Sequence, residues 1–242
     1  MRVHIVTPIP GSVGVSLEED LTRLKQPARP KTDIVVSYVK GNPPSIESEY
    51  EDALAVPGTV RAAIKAQQEG ADAVVINCTA DTGLKACREC LTIPVVGPSH
   101  AAMHLAVQLS HRFSVLTFSL RTVVRFEEMA HQLGFRRHLA SIRSVETPIE
   151  NIDCDNTDFI DHLFTAGRQC AADGAHALVL GCTAFEIVAG PLRDRFANVG
   201  IDVVLVEPYR AAVALAEMLV DLHLSQSKAT YPIPGPLMVQ SS

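Results

Sequence analysis

The sequence predicts an α/β fold of two similar lobes. Each lobe is expected to hold a mainly parallel four-stranded sheet flanked by helices, the two being pseudo-two-fold related with the active site between them. Two observations carry this reading. Short apolar, β-branched runs alternate with stretches of helical pattern, as buried parallel strands and their crossover helices do. The chain also repeats itself.

The elements follow in order. Val3–Val6 opens the first sheet, and Ser16 with Glu19 makes a capping box for a helix through Leu24. Ile34–Val39 is the next strand. Ala62–Gln68 is helical and stops at Gly70. Ala73–Ile76 and Ile93–Val96 are strands, with Cys87 and Cys90 on a helix before the second. Phe113–Leu116, Ala177–Leu180 and Val203–Val206 are strands of the other lobe. Arg210–Leu224 carries Ala, Leu, Met and Val at helical spacing and is expected to return to the first lobe. The Ser/Pro-rich tail from Ser225 to Ser242 is expected to be extended. These elements give a first lobe of residues 1–98 plus 208–242 and a second of 99–207.

The repeat is visible at two offsets. At 104 residues, Ala62–Ala80 falls on Ala166–Ala184, with identities that include Gly70/Gly174, Ala73/Ala177, Cys78/Cys182, Thr79/Thr183 and Ala80/Ala184. At 110 residues, Met1–Thr7 falls on His111–Thr117 and Pro98, Ala101 and Ala102 on Pro208, Ala211 and Ala212. A duplicated unit places a Cys-Thr-Ala at the C-terminal end of a buried strand in each lobe, where open α/β sheets bind ligands.

Composition narrows the classes. Of 242 residues, 47% are hydrophobic and 20% charged, enough apolar matter for a core. A net charge of −6 with no Lys/Arg block argues against a nucleic-acid partner. No apolar run approaches the roughly 20 residues of a membrane span. The opening MRVHIVTPIPG lacks the apolar stretch of a secretory signal, so a soluble cytoplasmic protein is expected, and its six cysteines are expected to be free thiols.

Paired cysteines at equivalent positions suggest proton chemistry. A helix N-terminus after each of Cys78 and Cys182 would lower its thiol pKa toward neutrality, and such a thiol serves as acid or base. Opposed, one would take a proton from a carbon beside a carbonyl and the other would return one to the opposite face. No G-x-G-x-x-G, P-loop or H-E-x-x-H occurs, so no cofactor and no metal are expected. Thr79, Ala80, Thr183 and Ala184 are candidate substrate-binding residues, with helix capping as the plainer role of the threonines. Thr7, Thr117 and Ser119 are further candidates at strand ends. The loop Pro10–Gly14 is either a closing loop or an ordinary turn. Glu207 either orients a catalytic group or caps a helix. His100 and His104 stand one helical turn apart without a third metal ligand, which favours surface or packing roles.

The motifs Asn77-Cys78-Thr79-Ala80-Asp81-Thr82-Gly83-Leu84 and Leu180-Gly181-Cys182-Thr183-Ala184-Phe185-Glu186 resemble those of the aspartate/glutamate/hydantoin racemase superfamily. The resemblance covers nearly the whole chain. It is strongest to the hydantoin racemase branch, through Pro44–Tyr50, Ile93–Pro98 and Ser114–Thr117 running to Arg121-Thr122. Departures are the turn Thr7-Pro8-Ile9-Pro10-Gly11, the run Thr79-Ala80-Asp81-Thr82 after the first cysteine, and Glu207-Pro208 in place of Asp-Pro. The resemblance implies a cofactor-independent racemase, a homo-oligomer, acting on a small carboxylate, amino acid or hydantoin. Within the same superfamily, a maleate-type cis–trans isomerase or a decarboxylase remains open. Outside enzymes, so does a two-lobed small-molecule binding protein.

Overall fold

Strands β1 (Arg2–Thr7), β2 (Asp33–Tyr38), β3 (Ala73–Ile76) and β4 (Val95–Val96) pair in the order β2-β1-β3-β4, all parallel. Strands β5 (Phe113–Thr117), β6 (Leu139–Ser144), β7 (Ala177–Leu180) and β8 (Val204–Val206) repeat that order as β6-β5-β7-β8, again all parallel. The computed structural model describes residues 1–12, 16–147, 152 and 156–235. Met1–Ser12, Leu17–Pro98 and the described residues from Ala212 onward form one compact unit; the described residues of Ser99–Ala211, with Ser16, form the other.

The helices are α1 (Leu17–Lys25), α2 (Glu49–Gln68), α3 (Leu84–Cys90), α4 (Pro98–Leu109), α5 (Leu120–Gln132), α6 (Thr157–Ala172), α7 (Ala189–Asn198) and α8 (Pro208–Asp221). A 3₁₀ helix, Thr183–Val188, precedes α7. Every residue of β3 and β7 is buried, which is why these strands read as unbroken apolar runs. In the second unit Leu116, Leu178 and Leu180 pack under α6 and α7, while Phe113, Val115, Ala177 and Val179 pack under α4 and α5. The period-2 alternation of a strand feeds two helical layers. In the first unit Val6, Val74 and Ile76 pack beneath α2 and α3.

Strand pairing carries both repeat offsets. Val3 pairs with Ala73 and Phe113 with Ala177, 110 and 104 residues on. Val74 pairs with Val95 and Leu178 with Leu205, 104 and 110 residues on. The second unit is therefore six residues shorter before β7 and six longer after it. The excess lies where a 3₁₀ helix plus ten-residue α7 replaces the seven-residue α3.

Several elements differ from the sequence expectation. Strand β6 lies outside the apolar runs, because it is a polar edge strand with all six residues only partly buried. Helix α2 starts at Glu49, well before Ala62, under a reciprocal cap in which Glu51 N–H donates to Ser48 Oγ and Ser48 N–H to Glu51 Oε2 (2.9 Å). Strand β4 shrinks to two residues, and α8 ends at Asp221. The tail does not simply extend: Tyr231 N–H closes a turn on the Ser227 carbonyl (2.9 Å). Gln226 bonds both backbone groups of Val95 on the edge strand, and Lys228 Nζ donates to the Arg88, Glu89 and Leu91 carbonyls at the end of α3. Residues 236–242 of that expected tail lie outside the described residues.

Gly58 sits inside α2, where a Cβ would meet Asn42 Oδ1 at 2.3 Å. Asn42 cannot yield easily, since its Nδ2 donates to the Pro8 (2.7 Å) and Ala55 (3.0 Å) carbonyls. Gly58→Ala should therefore destabilise by about 1–3 kcal/mol, against the usual gain of Ala over Gly in a helix. Denaturant unfolding checks this, and adding Asn42→Ala should recover part of the loss.

His4, buried in β1, bonds Ser37 Oγ (3.0 Å), and burial pushes its imidazole below its ordinary value, with Glu69 opposing. The unfolded chain then binds this proton more readily than the folded one, so stability rises with pH in that window. The contribution is complete above about pH 6.5 and is lost as pH falls from there toward the lowered folded value. Thermal unfolding from pH 7.5 to 5 should show this decline, and His4→Asn should flatten it.

Candidate active site

In both units the chain leaves its central strand through the same rung. The Asn77 N–H donates to the Val6 carbonyl (2.8 Å) and the Gly181 N–H to the Leu116 carbonyl (2.6 Å). A cysteine follows each. The Asp81 N–H returns to the Cys78 carbonyl (2.9 Å) and the Phe185 N–H to the Cys182 carbonyl (3.2 Å). The two Cys-Thr-Ala blocks thus form the same i to i+3 turn. Their burial also alternates alike: Asn77, Thr79 and Asp81 are buried, as are Gly181, Thr183 and Phe185, while Cys78, Ala80, Cys182 and Ala184 are partly exposed. Neither cysteine is in a disulfide.

Strand order explains the location. With order 2-1-3-4, the connections leaving β1 and β3 depart to opposite sides, opening a crevice beyond the carboxyl ends of those strands. Cys78 stands at that position in the first unit and Cys182 at its equivalent beyond β5 and β7. The environment after each differs in one respect from expectation. Cys182 stands at the N-cap position of the 3₁₀ helix, without a side-chain cap bond, whereas Cys78 is followed by two turns, with Asp81 at φ 53° and Gly83 at φ 68°, before α3 begins at Leu84. Thr82 Oγ1 ties those turns to α2 by donating to Asp52 Oδ1 (2.6 Å).

The cysteines outside these turns are set apart. Cys87 is fully buried in α3, and burial pushes its thiol up to about 12. Burial likewise raises Cys170 and Cys90. Cys154 lies outside the described residues.

The remaining candidates are placed as follows. Thr7 is buried at the end of β1, where its Oγ1 accepts from Asn77 Nδ2 (3.3 Å). Thr117 is fully buried and shares a 2.6 Å hydrogen bond with Thr122 Oγ1. Ser119 is the N-cap of α5, its side chain accepting from Arg121 N–H. Glu207, largely buried at the end of β8, is held by Arg193 (2.8 Å) and Arg210 (3.3 Å). His104 bonds the His100 carbonyl (2.7 Å) and stacks edge-on against Phe135. Val13 and Gly14 of the Pro10–Gly14 loop lie outside the described residues.

Residues 12–216 match the model of the Asp/Glu/Hydantoin racemase family. The chain belongs to that family, and it is an isomerase. It is similar to a hydantoin racemase of Pseudomonas sp. (strain NS671), 35% identical over 87% of this chain and 83% of the relative. A hydantoin racemase of Rhizobium meliloti is 30% identical over 97% and 95% of the two chains. Among solved structures, an allantoin racemase from Klebsiella pneumoniae superimposes with a TM-score of 0.90 at 27% identity, covering 100% of this chain and 97% of that one.

One position of the racemase escaped the sequence reading. Asn77 and Gly181 are repeat equivalents, yet Asn77 is buried with its Oδ1 unpartnered. The signal was present in the repeat, as the single unlike residue immediately before two like blocks. Gly181 has no such freedom: a Cβ there would stand 2.7 Å from the Leu116 carbonyl oxygen and 3.0 Å from Thr117 Cβ. Gly181→Ala should destabilise by about 1–3 kcal/mol and lower turnover by displacing the Cys182 turn. Thermal unfolding and steady-state kinetics on one preparation check it.

Proposed function

We propose that this racemase inverts the carbon beside a carbonyl in a five-membered cyclic ureide, a 5-substituted hydantoin or allantoin, by two-base proton transfer between Cys78 and Cys182. The observation that carries the reading is the duplicated turn, in which both thiols occupy the same position after the same strand-end rung. A single-cysteine isomerase or decarboxylase has no need of the second copy. The hydantoin and allantoin racemases among its relatives favour the ring substrate.

The chemistry is balanced without a co-reactant. One cysteine thiolate takes the proton from the stereogenic carbon, and the C–H electron pair passes into the adjacent carbonyl as an enolate. Thr79 and Thr183, with turn N–H groups, donate to the developing oxyanion. The other cysteine thiol gives its proton to the opposite face. The two thiols finish with their protonation states exchanged, ready for the reverse enantiomer or for re-equilibration with water. No metal or organic cofactor enters these steps.

Chelated, dialysed enzyme should racemise a 5-substituted hydantoin in the presence of a thiol reductant and incorporate solvent deuterium at the stereocentre. Cys78→Ser and Cys182→Ser should each lower racemisation by about 10²–10⁴-fold, because a serine hydroxyl is far less acidic. Each variant should still exchange the proton of one enantiomer only, and the two should prefer opposite hands. NMR in D₂O on each pure enantiomer reads this out. A variant that racemises at the parental rate would remove that cysteine from the mechanism and favour single-cysteine chemistry.

A further inference from the structure

The duplicated turns are alike at the cysteine, threonine and alanine, and unlike one residue earlier. Asn77 fills that position in the first unit; in the second, Gly181 is forced by backbone and side-chain atoms within 3.0 Å of a would-be Cβ. The Asn77 side chain is only 8% exposed. Its Nδ2 reaches across to Thr7 Oγ1 on the neighbouring strand (3.3 Å), fixing the carboxamide between the carboxyl ends of β1 and β3. Its Oδ1 is buried and accepts no hydrogen bond. Folded proteins rarely keep a buried acceptor unpaired, and this one lies beside Cys78 at the strand-order switch.

A pair of equivalent thiols carries no information about which way round a substrate lies. The ring, however, is not symmetric: the reacting carbon has a carbonyl on one side and a nitrogen on the other. Resting on the reading above, we propose that Asn77 Oδ1 accepts the N–H of the nitrogen bonded to the reacting carbon (N1 of a hydantoin), and so orients the substrate for both cysteines. A hydantoin, allantoin and a free amino acid all carry a donor there, so the contact selects a chemical class through one shared feature.

The test compares 5-isopropylhydantoin with its N1-methyl and N3-methyl derivatives, each rate normalised to uncatalysed exchange in the same buffer. N1-methylation should cost the wild type about 10-fold or more in kcat/KM, and N3-methylation much less. Asn77→Ala should raise KM for the parent compound by a similar factor and erase most of the N1 discrimination. Asn77→Ala also removes the Nδ2 bond to Thr7 Oγ1, so the discriminating readout is the ratio of the three rates rather than Tm. Asn77→Asp, which keeps an acceptor in place, should retain the N1 preference. A drop in kcat by one common factor on all three compounds would make Asn77 structural and overturn the inference. Unchanged N1 discrimination in an active Asn77→Ala enzyme would overturn it too, leaving the racemase reading intact. A wild type that neither racemises nor exchanges any of the three would overturn the ring-substrate reading and the inference with it.

Discussion

The last rung of each parallel ladder is the interaction on which the candidate site depends. The N–H groups of Asn77 and Gly181 are spent on the Val6 and Leu116 carbonyls. That fixes the chain direction at the instant it leaves β3 or β7. The cysteine then has one place to go, into a turn closed by its own carbonyl three residues on. Because both strands are buried on both faces, neither rung can slip by one residue without turning a whole strand inside out. The cysteines are thus set by sheet register, which makes their position insensitive to the lengths of the surrounding helices.

That insensitivity explains how the units diverged. The second unit loses six residues before β7 and gains six after it, yet the strand pairings that flank both cysteines coincide. The first unit closes its shorter connection differently. Its α3 is capped at the C-terminal end by Lys228, while Arg88 bonds the Val95 carbonyl (3.2 Å) and lies over the Tyr231 ring (5.6 Å). Gln226 supplies the hydrogen bonds that edge strand β4 would otherwise leave to solvent. The chain after α8 therefore buttresses the connection that begins at Cys78. Buried Glu217 of α8 anchors the same unit by accepting from Arg29 N–H (2.9 Å) and Thr32 Oγ1 (2.6 Å).

Much of this was legible in the sequence, for physical reasons. Strands β1, β3, β5 and β7 are the middle of each sheet; burial on both faces makes β3 and β7 unbroken apolar runs and leaves His4 and Ser114 to interrupt those of β1 and β5. The repeat was readable because register, once duplicated, preserves spacing at the strands even where helices change. Strand β6 was hidden because an edge strand that is half solvated can be polar, as Leu139–Ser144 is. The first half of α2 was hidden by Pro57 and Gly58, which read as helix breakers; here Gly58 is demanded by the approach of Asn42. At the candidate site, the cysteines and threonines announced themselves by repetition. Ser119 and Glu207 show their partners only in three dimensions, as helix cap and ion-pair anchor.

Asn77 is the opposite case, a residue marked by failure to repeat. In the proposed reaction, equivalent thiols would serve the two mirror-image substrates, and two ring placements that exchange the roles of the thiols would be equally productive. A side chain that differs between the units would favour one of these placements over the other. The difference has to sit close to the cysteines without disturbing the register that places them. The residue donating the last rung meets both conditions: its backbone is fixed in either unit, and its side chain alone is free to vary. In the second unit even that freedom is closed by Leu116 and Thr117, so the asymmetry falls to position 77, where a buried carboxamide with one unpaired oxygen stands.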